Sequence, residues 1–143
     1  MASDLPDVNV WIALSHPDHA HHHQARSYWS HLRANRLALS RPTLFGLLRG
    51  LTNPKVMGKH LASPAKAWSI SQTFLTMPDI AYIEDSTSTD TRVGNWANQP
   101  FFTHNLWTDA WIAAIAMEQG CRLVSFDADF AKFPGLNFLQ LVP

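Results

Sequence analysis

A chain of 143 residues, 46% hydrophobic and 15% charged, has enough apolar material for a real core and none of the signature of disorder, so one domain over residues 1–143 is expected. Eleven Lys plus Arg balance eleven Asp plus Glu, which excludes a broad basic surface that grips nucleic acid by phosphate neutralisation alone. The single cysteine, Cys121, excludes an intrachain disulfide, and no apolar run approaches the ~20 residues of a membrane span, so a cytoplasmic protein is the expectation.

In chain order, a short extended LPD edge meets the apolar run NVWIALS, which breaks at His16-Pro17. After a polar loop, Ala25, Tyr28, Trp29 and Leu32 recur at helical spacing in HHHQARSYWSHLRAN. RLALS reads as a short strand, and Pro42 begins PTLFGLLRGL, apolar at Leu44, Phe45, Leu47, Leu48 and Leu51, with proline suited to a first turn. TNPK stops that helix, and Ser63-Pro64 starts another in SPAKAWSISQTFL. IAYI is a buried-strand candidate, and EDSTSTDTRVGNWANQP reads as polar and irregular. A helix from about Asp109 to Gln119 ends at Gly120, followed by the strand RLVSF and, after FPG, a last strand NFLQLV. Short strands alternating with helices predict an α/β fold in three layers, a mainly parallel sheet flanked by helices. In such sheets ligands bind beyond the carboxyl ends of the strands.

Three acids from distant parts of the chain have access to that edge. Asp127 follows RLVSF, Asp7 follows the first extended piece, and Asp109 begins a helix whose sheet-facing Ala113 and Ala116 permit close approach. Glu118, nine residues beyond Asp109, rises about 13 Å along the helix and points elsewhere. If the chain stays extended, Asp129 shares a side with Asp127 and serves as an outer ligand or holds a water. Taken singly, each aspartate also fits helix capping or a turn. Taken together, clustered carboxylates repel one another unless a cation compensates, and oxygen donors of this kind suit Mg²⁺ or Mn²⁺. Such an ion polarises a phosphodiester and lowers the pKa of a bound water.

The segments DVNVWIAL, PTLFGLLRGLTNP, DAWIAAIAMEQGCRLVSFDADF and FPGL resemble the PIN-domain fold, and within it the VapC-type toxins of bacterial toxin–antitoxin pairs. The likeness runs from about Asp4 to Leu141. It implies a metal-dependent endoribonuclease that leaves 5′-phosphate and 3′-hydroxyl ends, is silenced by a cognate antitoxin, forms a homodimer and acts on RNA such as a tRNA or rRNA loop. By matching motif positions it implies Asp7, Asp109 and Asp127 as the metal-binding acids, with Asn9 and Ser125 as supports. One departure stands out. Family members usually carry a glutamate where this chain reads TLFGLLRGL, and by register the expected acid falls at Leu44 or Gly46. Asp129 or ordered water would then complete the shell, or activity would be weak. The rival reading is a PIN-like protein that binds RNA or an antitoxin without turnover.

Other signals are weaker. HPDHAHHH places five of the eight histidines between His16 and His23, which invites a zinc site, yet spacing offers no third partner for His19 and His23, and local positive charge near RNA fits better. LVSFDADF also resembles the Asp-x-Asp nucleophile motif of haloacid-dehalogenase-like phosphatases, but that fold needs further acids downstream and only 14 residues follow Asp129. Arg49 and Arg92 are open between structure and phosphate binding. Trp107 and Trp111 flank Asp109 and divide between packing or subunit contact and stacking on unpaired bases.

Overall fold

A computed structural model describes residues 2–142. Its strands are β1 (Ser3–Pro6), β2 (Arg36–Ser40), β3 (Ile80–Ile83), β4 (Arg122–Ser125) and β5 (Phe138–Gln140). They form one sheet in the order β3-β2-β1-β4-β5, and every neighbouring pair is parallel, rather than mainly so. Because all strands point the same way, their carboxyl ends share one edge. The chain order reverses beside β1, which pairs with β2 on one side and β4 on the other, so the crevice for a ligand opens at the ends of β1 and β4.

The helices are α1 (Val8–Ser15), α2 (His22–Ser27, continued by a π-helical turn over Tyr28–Leu32), α3 (Arg41–Leu51), α4 (Pro54–Met57), α5 (Pro64–Thr76), α6 (Thr87–Ala97) and α7 (Trp107–Glu118). Ala110 and the run Ile112 to Ala116 of α7 pack with Val93 and Trp96 of α6 on the Leu5, Ala38 and Leu123 face of the sheet. Trp11 and Ile12 of α1, Leu47 and Leu51 of α3 and Ala67 of α5 cover the opposite face with Leu37 and Leu39. The alternation of Leu37, Ala38 and Leu39 between the two faces is the period of two that a doubly covered strand imposes. None of the described helices is long and apolar enough to cross a membrane.

Four local expectations change. The segment after IAYI is helical over Thr87–Ala97 rather than irregular: Ser86 and Thr89 form a capping box, and Thr89, Val93 and Trp96 turn one thin apolar face inward. IAYI is an edge strand, with only Ile80 fully buried, since nothing pairs with its outer side in the described sheet. Helix α7 starts at Trp107, which puts Asp109 inside its first turn. It ends before Gly120, whose φ of 67° suits glycine. Past β4 the chain does not stay extended but folds into a 3-10 turn over Ala128–Lys132.

Gly46 and Gly50, one turn apart on α3, let that helix lie directly on α1. A Cβ on Gly46 would come within 2.3 Å of Val8 Cγ2, and one on Gly50 within 2.5 Å of Ile12 Cδ1.

Candidate active site

Asp7 follows β1 directly and caps α1, accepting a hydrogen bond from the Val8 backbone N–H at 2.7 Å. The strand hands the chain to the helix there, because the Asp7 N–H still bonds to Val124 O of β4 at 2.8 Å. Its other carboxylate oxygen accepts from Ser125 Oγ at 2.9 Å. Ser125, fully buried at the end of β4, is a hub: its hydroxyl oxygen also accepts from Asn9 Nδ2 and from the Asp127 backbone N–H, each at 3.0 Å. One hydroxyl thus ties together Asp7, Asn9 and the turn that carries Asp127.

Asp127 caps the 3-10 turn and accepts from the Asp129 N–H at 2.8 Å. The turn removes the shared side that an extended chain would have given the two acids, and Asp129 instead pairs with Lys132 at 3.1 Å. Asp109 approaches from α7. Burial first, and then the charges of Asp7, Asp127 and Asp129, push its carboxyl up from 3.8 to about 7. The Asp7 carboxyl is raised too, by burial, against the opposing hydrogen bonds from Ser125 and Val8, with the Asp127 charge acting in the same upward sense. Asp7, Asp109 and Asp127 therefore lie near enough for their charges to act on one another, and none makes an ion pair with Lys, Arg or His among the described residues. Glu118 lies apart from them and binds Arg92 at 2.8 Å, which settles Arg92 as a structural partner.

As they stand, no three His, Cys, Asp or Glu side chains among the described residues close on a common point tightly enough to chelate an ion. The donor set is nonetheless all oxygen, and its mutual repulsion goes uncompensated by any arginine or lysine. Those are the properties that suit a hard divalent cation. Asp7, Asp109 and Asp127 are the side chains that fit it.

Neither position for a fourth acid is open in the same way. Leu44 is 7% exposed and carries a side chain of a reach comparable to glutamate, whereas Gly46 has no room for a Cβ against Val8. Beside the acids lies a cavity of about 440 Å³, walled by Val8, by Arg41, Phe45 and Arg49 of α3, and by Trp107 and Trp111 of α7. Arg41 and Phe45 drew no attention as site residues in the sequence, although Arg41 directly follows a strand and so sits on the ligand edge.

In the histidine loop no three metal-binding side chains among the described residues converge on one point. His16 and His60 approach with ring centroids 4.9 Å apart, His60 Nε2 meets Asp18 Oδ2 at 2.7 Å, and His21 stacks on Phe126 at 4.7 Å. Burial and the neighbouring His21, His16 and His22 hold the His19 imidazole below its ordinary value, so this histidine resists becoming the positive charge expected of the loop.

A profile described as the PIN domain matches residues 5–136. Ribonuclease VapC41 of Mycobacterium tuberculosis H37Rv is 30% identical over 144 residues, spanning 96% of this chain and 97% of that one. Ribonuclease VapC39 of the same strain is 32% identical over 144 residues, spanning 96% and 98%. Among solved structures, Mycobacterium tuberculosis VapC20, described as a sarcin-ricin loop cleaving toxin, superposes with a TM-score of 0.71 at 18% identity over 97% of this chain and 98% of that one. VapBC2 from Rickettsia felis, bound to a DNA fragment from its promoter, gives 0.68 at 16% identity over 97% and 98%. At these identities the structural likeness concerns the fold.

Proposed function

This chain belongs to the PIN-domain family, and we propose that it is a VapC-type endoribonuclease toxin that hydrolyses RNA phosphodiester bonds and is held in check by a cognate antitoxin. Relatives that match it over almost the whole length of both chains are named ribonucleases, and its structural neighbours include a toxin–antitoxin complex from Klebsiella pneumoniae. The observation that supports the reading at residue level is that Asp109 feels the charges of Asp7 and Asp127 while none of these three acids pairs with a cationic side chain among the described residues. A working enzyme needs those charges balanced when substrate arrives.

In this proposal Asp7, Asp109 and Asp127 hold Mg²⁺ or Mn²⁺. When bound, the ion supplies Lewis acidity at the phosphate and a more acidic water for attack on phosphorus. The chain does the rest. Val8 N–H and Ser125 Oγ fix the Asp7 carboxylate in one orientation. Asn9 and the Asp127 N–H hold the Ser125 hydroxyl so that its proton points at Asp7. Asp109, with its carboxyl raised to about 7, sheds its proton near neutral pH and becomes an anionic ligand there. Asp129, paired with Lys132, stays an outer charge. Hydrolysis would leave 5′-phosphate and 3′-hydroxyl ends, on a tRNA or rRNA loop. Residues 1–143 act as one domain, as a homodimer in the cytoplasm.

The alternative, a PIN-fold binder of RNA or antitoxin without turnover, draws on the Leu44 and Gly46 positions that lack an acid. The test is cleavage of a tRNA and rRNA panel in Mg²⁺ or Mn²⁺ with chelator controls. Asp109→Asn is expected to lower kcat by about 10²–10³-fold, the scale of removing one preorganised electrostatic group. Cleavage that survives both the substitution and the chelator would reject this site. Tight binding without cleavage by the unaltered chain would select the binder. Leu44→Glu, which needs no new Cβ, asks whether a fourth acid raises activity.

A further inference from the structure

The acids account for attack on phosphorus but not for the aromatic and guanidinium walls of the neighbouring cavity. Val8 and Thr108, the chain neighbours of Asp7 and Asp109, line that cavity, which places it on the side of the sheet where those acids begin their helices. Phe45 and Trp107 are 54% and 50% exposed, an unfavourable display of large apolar area unless something covers it. The rings are held in position. Trp107 meets Phe102 edge-on at 4.7 Å, and Trp111 donates its Nε1 hydrogen to Asp85 Oδ2 at 3.2 Å. The guanidinium of Arg41 lies 5.6 Å over the ring of Tyr82, and neither Arg41 nor Arg49 pairs with a carboxylate among the described residues.

From this geometry we infer that the cavity is a subsite for one unpaired nucleotide next to the bond that is cut, with the base stacked on Trp107 and its flanking phosphates met by Arg41 and Arg49. The inference rests on the ribonuclease reading above. Charge decides for RNA over an apolar protein segment. A phosphodiester is repelled by three carboxylates, and a chain with formal net charge +0 has no general positive field to offset that repulsion. Arg41 and Arg49, two guanidiniums in this cavity without a carboxylate partner among the described residues, do so locally, and each also offers the fork geometry that phosphate oxygens accept. An exposed indole gives the base a face to stack on, which works only for a base outside a duplex. The cavity volume lies within the usual range for small-ligand sites. Asp85 adds one acid to the wall, already engaged by Trp111.

The probe is a randomised single-stranded RNA oligonucleotide pool, labelled for anisotropy, titrated onto the full chain in chelator, alongside the same pool annealed to its complement. The single-stranded pool is expected to bind more tightly and to quench tryptophan fluorescence. Trp107→Ala should weaken binding about tenfold, within what one base–aromatic stack contributes, while Trp107→Phe keeps most of it. Arg41→Ala should weaken binding and reduce the salt slope by about one. Equal binding by wild type and Trp107→Ala, or by the duplex and single-stranded pools, overturns the subsite. So does light scattering in which Trp107→Ala turns a dimer into a monomer, since the face is then a subunit contact. If these binding effects hold but the unaltered chain cleaves no RNA in Mg²⁺ or Mn²⁺, the ribonuclease reading fails and the subsite stands. Cleavage with binding indifferent to Trp107 and Arg41 is the converse.

Discussion

Asp4 and Asp7 lie three residues apart on and just beyond the same strand, both nearly inaccessible at 1% and 7%, and the protein treats them in opposite ways. At the amino end of the sheet, Asp4 is saturated. Arg122 grips it through Nε and Nη2, both at 2.9 Å, and Tyr28 Oη and the Ala34 N–H donate to it at 2.6 and 2.9 Å. Burial first, and then the hydrogen bond to Asp4 and its negative charge, hold the Tyr28 hydroxyl far above its ordinary value, while the Arg122 guanidinium is raised by its hydrogen bonds to Asp4. At the carboxyl end, Asp7 has only neutral donors, Ser125 and Val8, and shares its space with further acids. A buried carboxylate with its own arginine locks two parts of a fold together. One left without a cation raises the free energy of the empty fold and lowers it again when a cation binds.

The largest break in this comparison is a sign reversal in stability. Asp4→Asn should cost about 3 kcal/mol, the lower end for breaking a buried pair, because Arg122 retains some access to water. Asp7→Asn in chelator should cost far less or stabilise the protein, since it removes repulsion rather than attraction. Urea unfolding of the two variants side by side measures the difference; equal losses would erase the distinction.

Next comes pH. The Asp109 carboxyl rises from 3.8 to about 7 on folding, so between those values the folded chain holds a proton that the unfolded chain has released. Its stabilising contribution is full below the unfolded value and is lost as pH rises through about 7. The upward shift of Asp7 adds in the same sense. Melting temperature in chelator should therefore fall from pH 5 to pH 8 by about the few degrees that ~1 kcal/mol shifts a domain of this size, and saturating Mg²⁺ should flatten the slope. A flat profile in chelator would mean that the acids do not sense one another.

The last expected effect is at the hub. Ser125→Ala leaves the Asp127 N–H and the Asn9 amide without their partner and should cost about 1–3 kcal/mol. It should also lower the affinity for Mg²⁺, read by calorimetry, by about 10–100-fold, as loss of a ligand-orienting group does. Ser125→Thr, which retains the hydroxyl, should recover most of that affinity.

Much of this was readable in the sequence because strand ends and helix starts are written in local signals. Asp7 and Asp127 follow apolar strands, and the parallel sheet brings both to one edge. Two kinds of information were not local. Helix α6 buries only Thr89, Val93 and Trp96, too thin a stripe to rise above its polar residues, so its helical state depends on α7 lying beneath it. The turn after Asp127 depends on hydrogen bonds to Ser125 and Asp129, which a period-two pattern does not encode. The cavity wall is assembled from α1, α3 and α7, so Arg41 and Phe45 acquire meaning only once those helices meet.

The nesting of α3 on α1 has a bearing on how such a protein can be altered. With Val8 Cγ2 standing 2.3 Å from where a Cβ of Gly46 would sit, a carboxylate at position 46 itself calls for two substitutions in a fixed order. Val8 must first be trimmed to alanine, and even then its remaining Cβ, 3.2 Å from the new one, has to shift by a few tenths of an ångström before Gly46 accepts a longer side chain. Attempted the other way round, the intermediate would wedge the helices apart and drag the Asp7 cap with them, so an engineer who skips the first move would lose an existing acid in trying to add another.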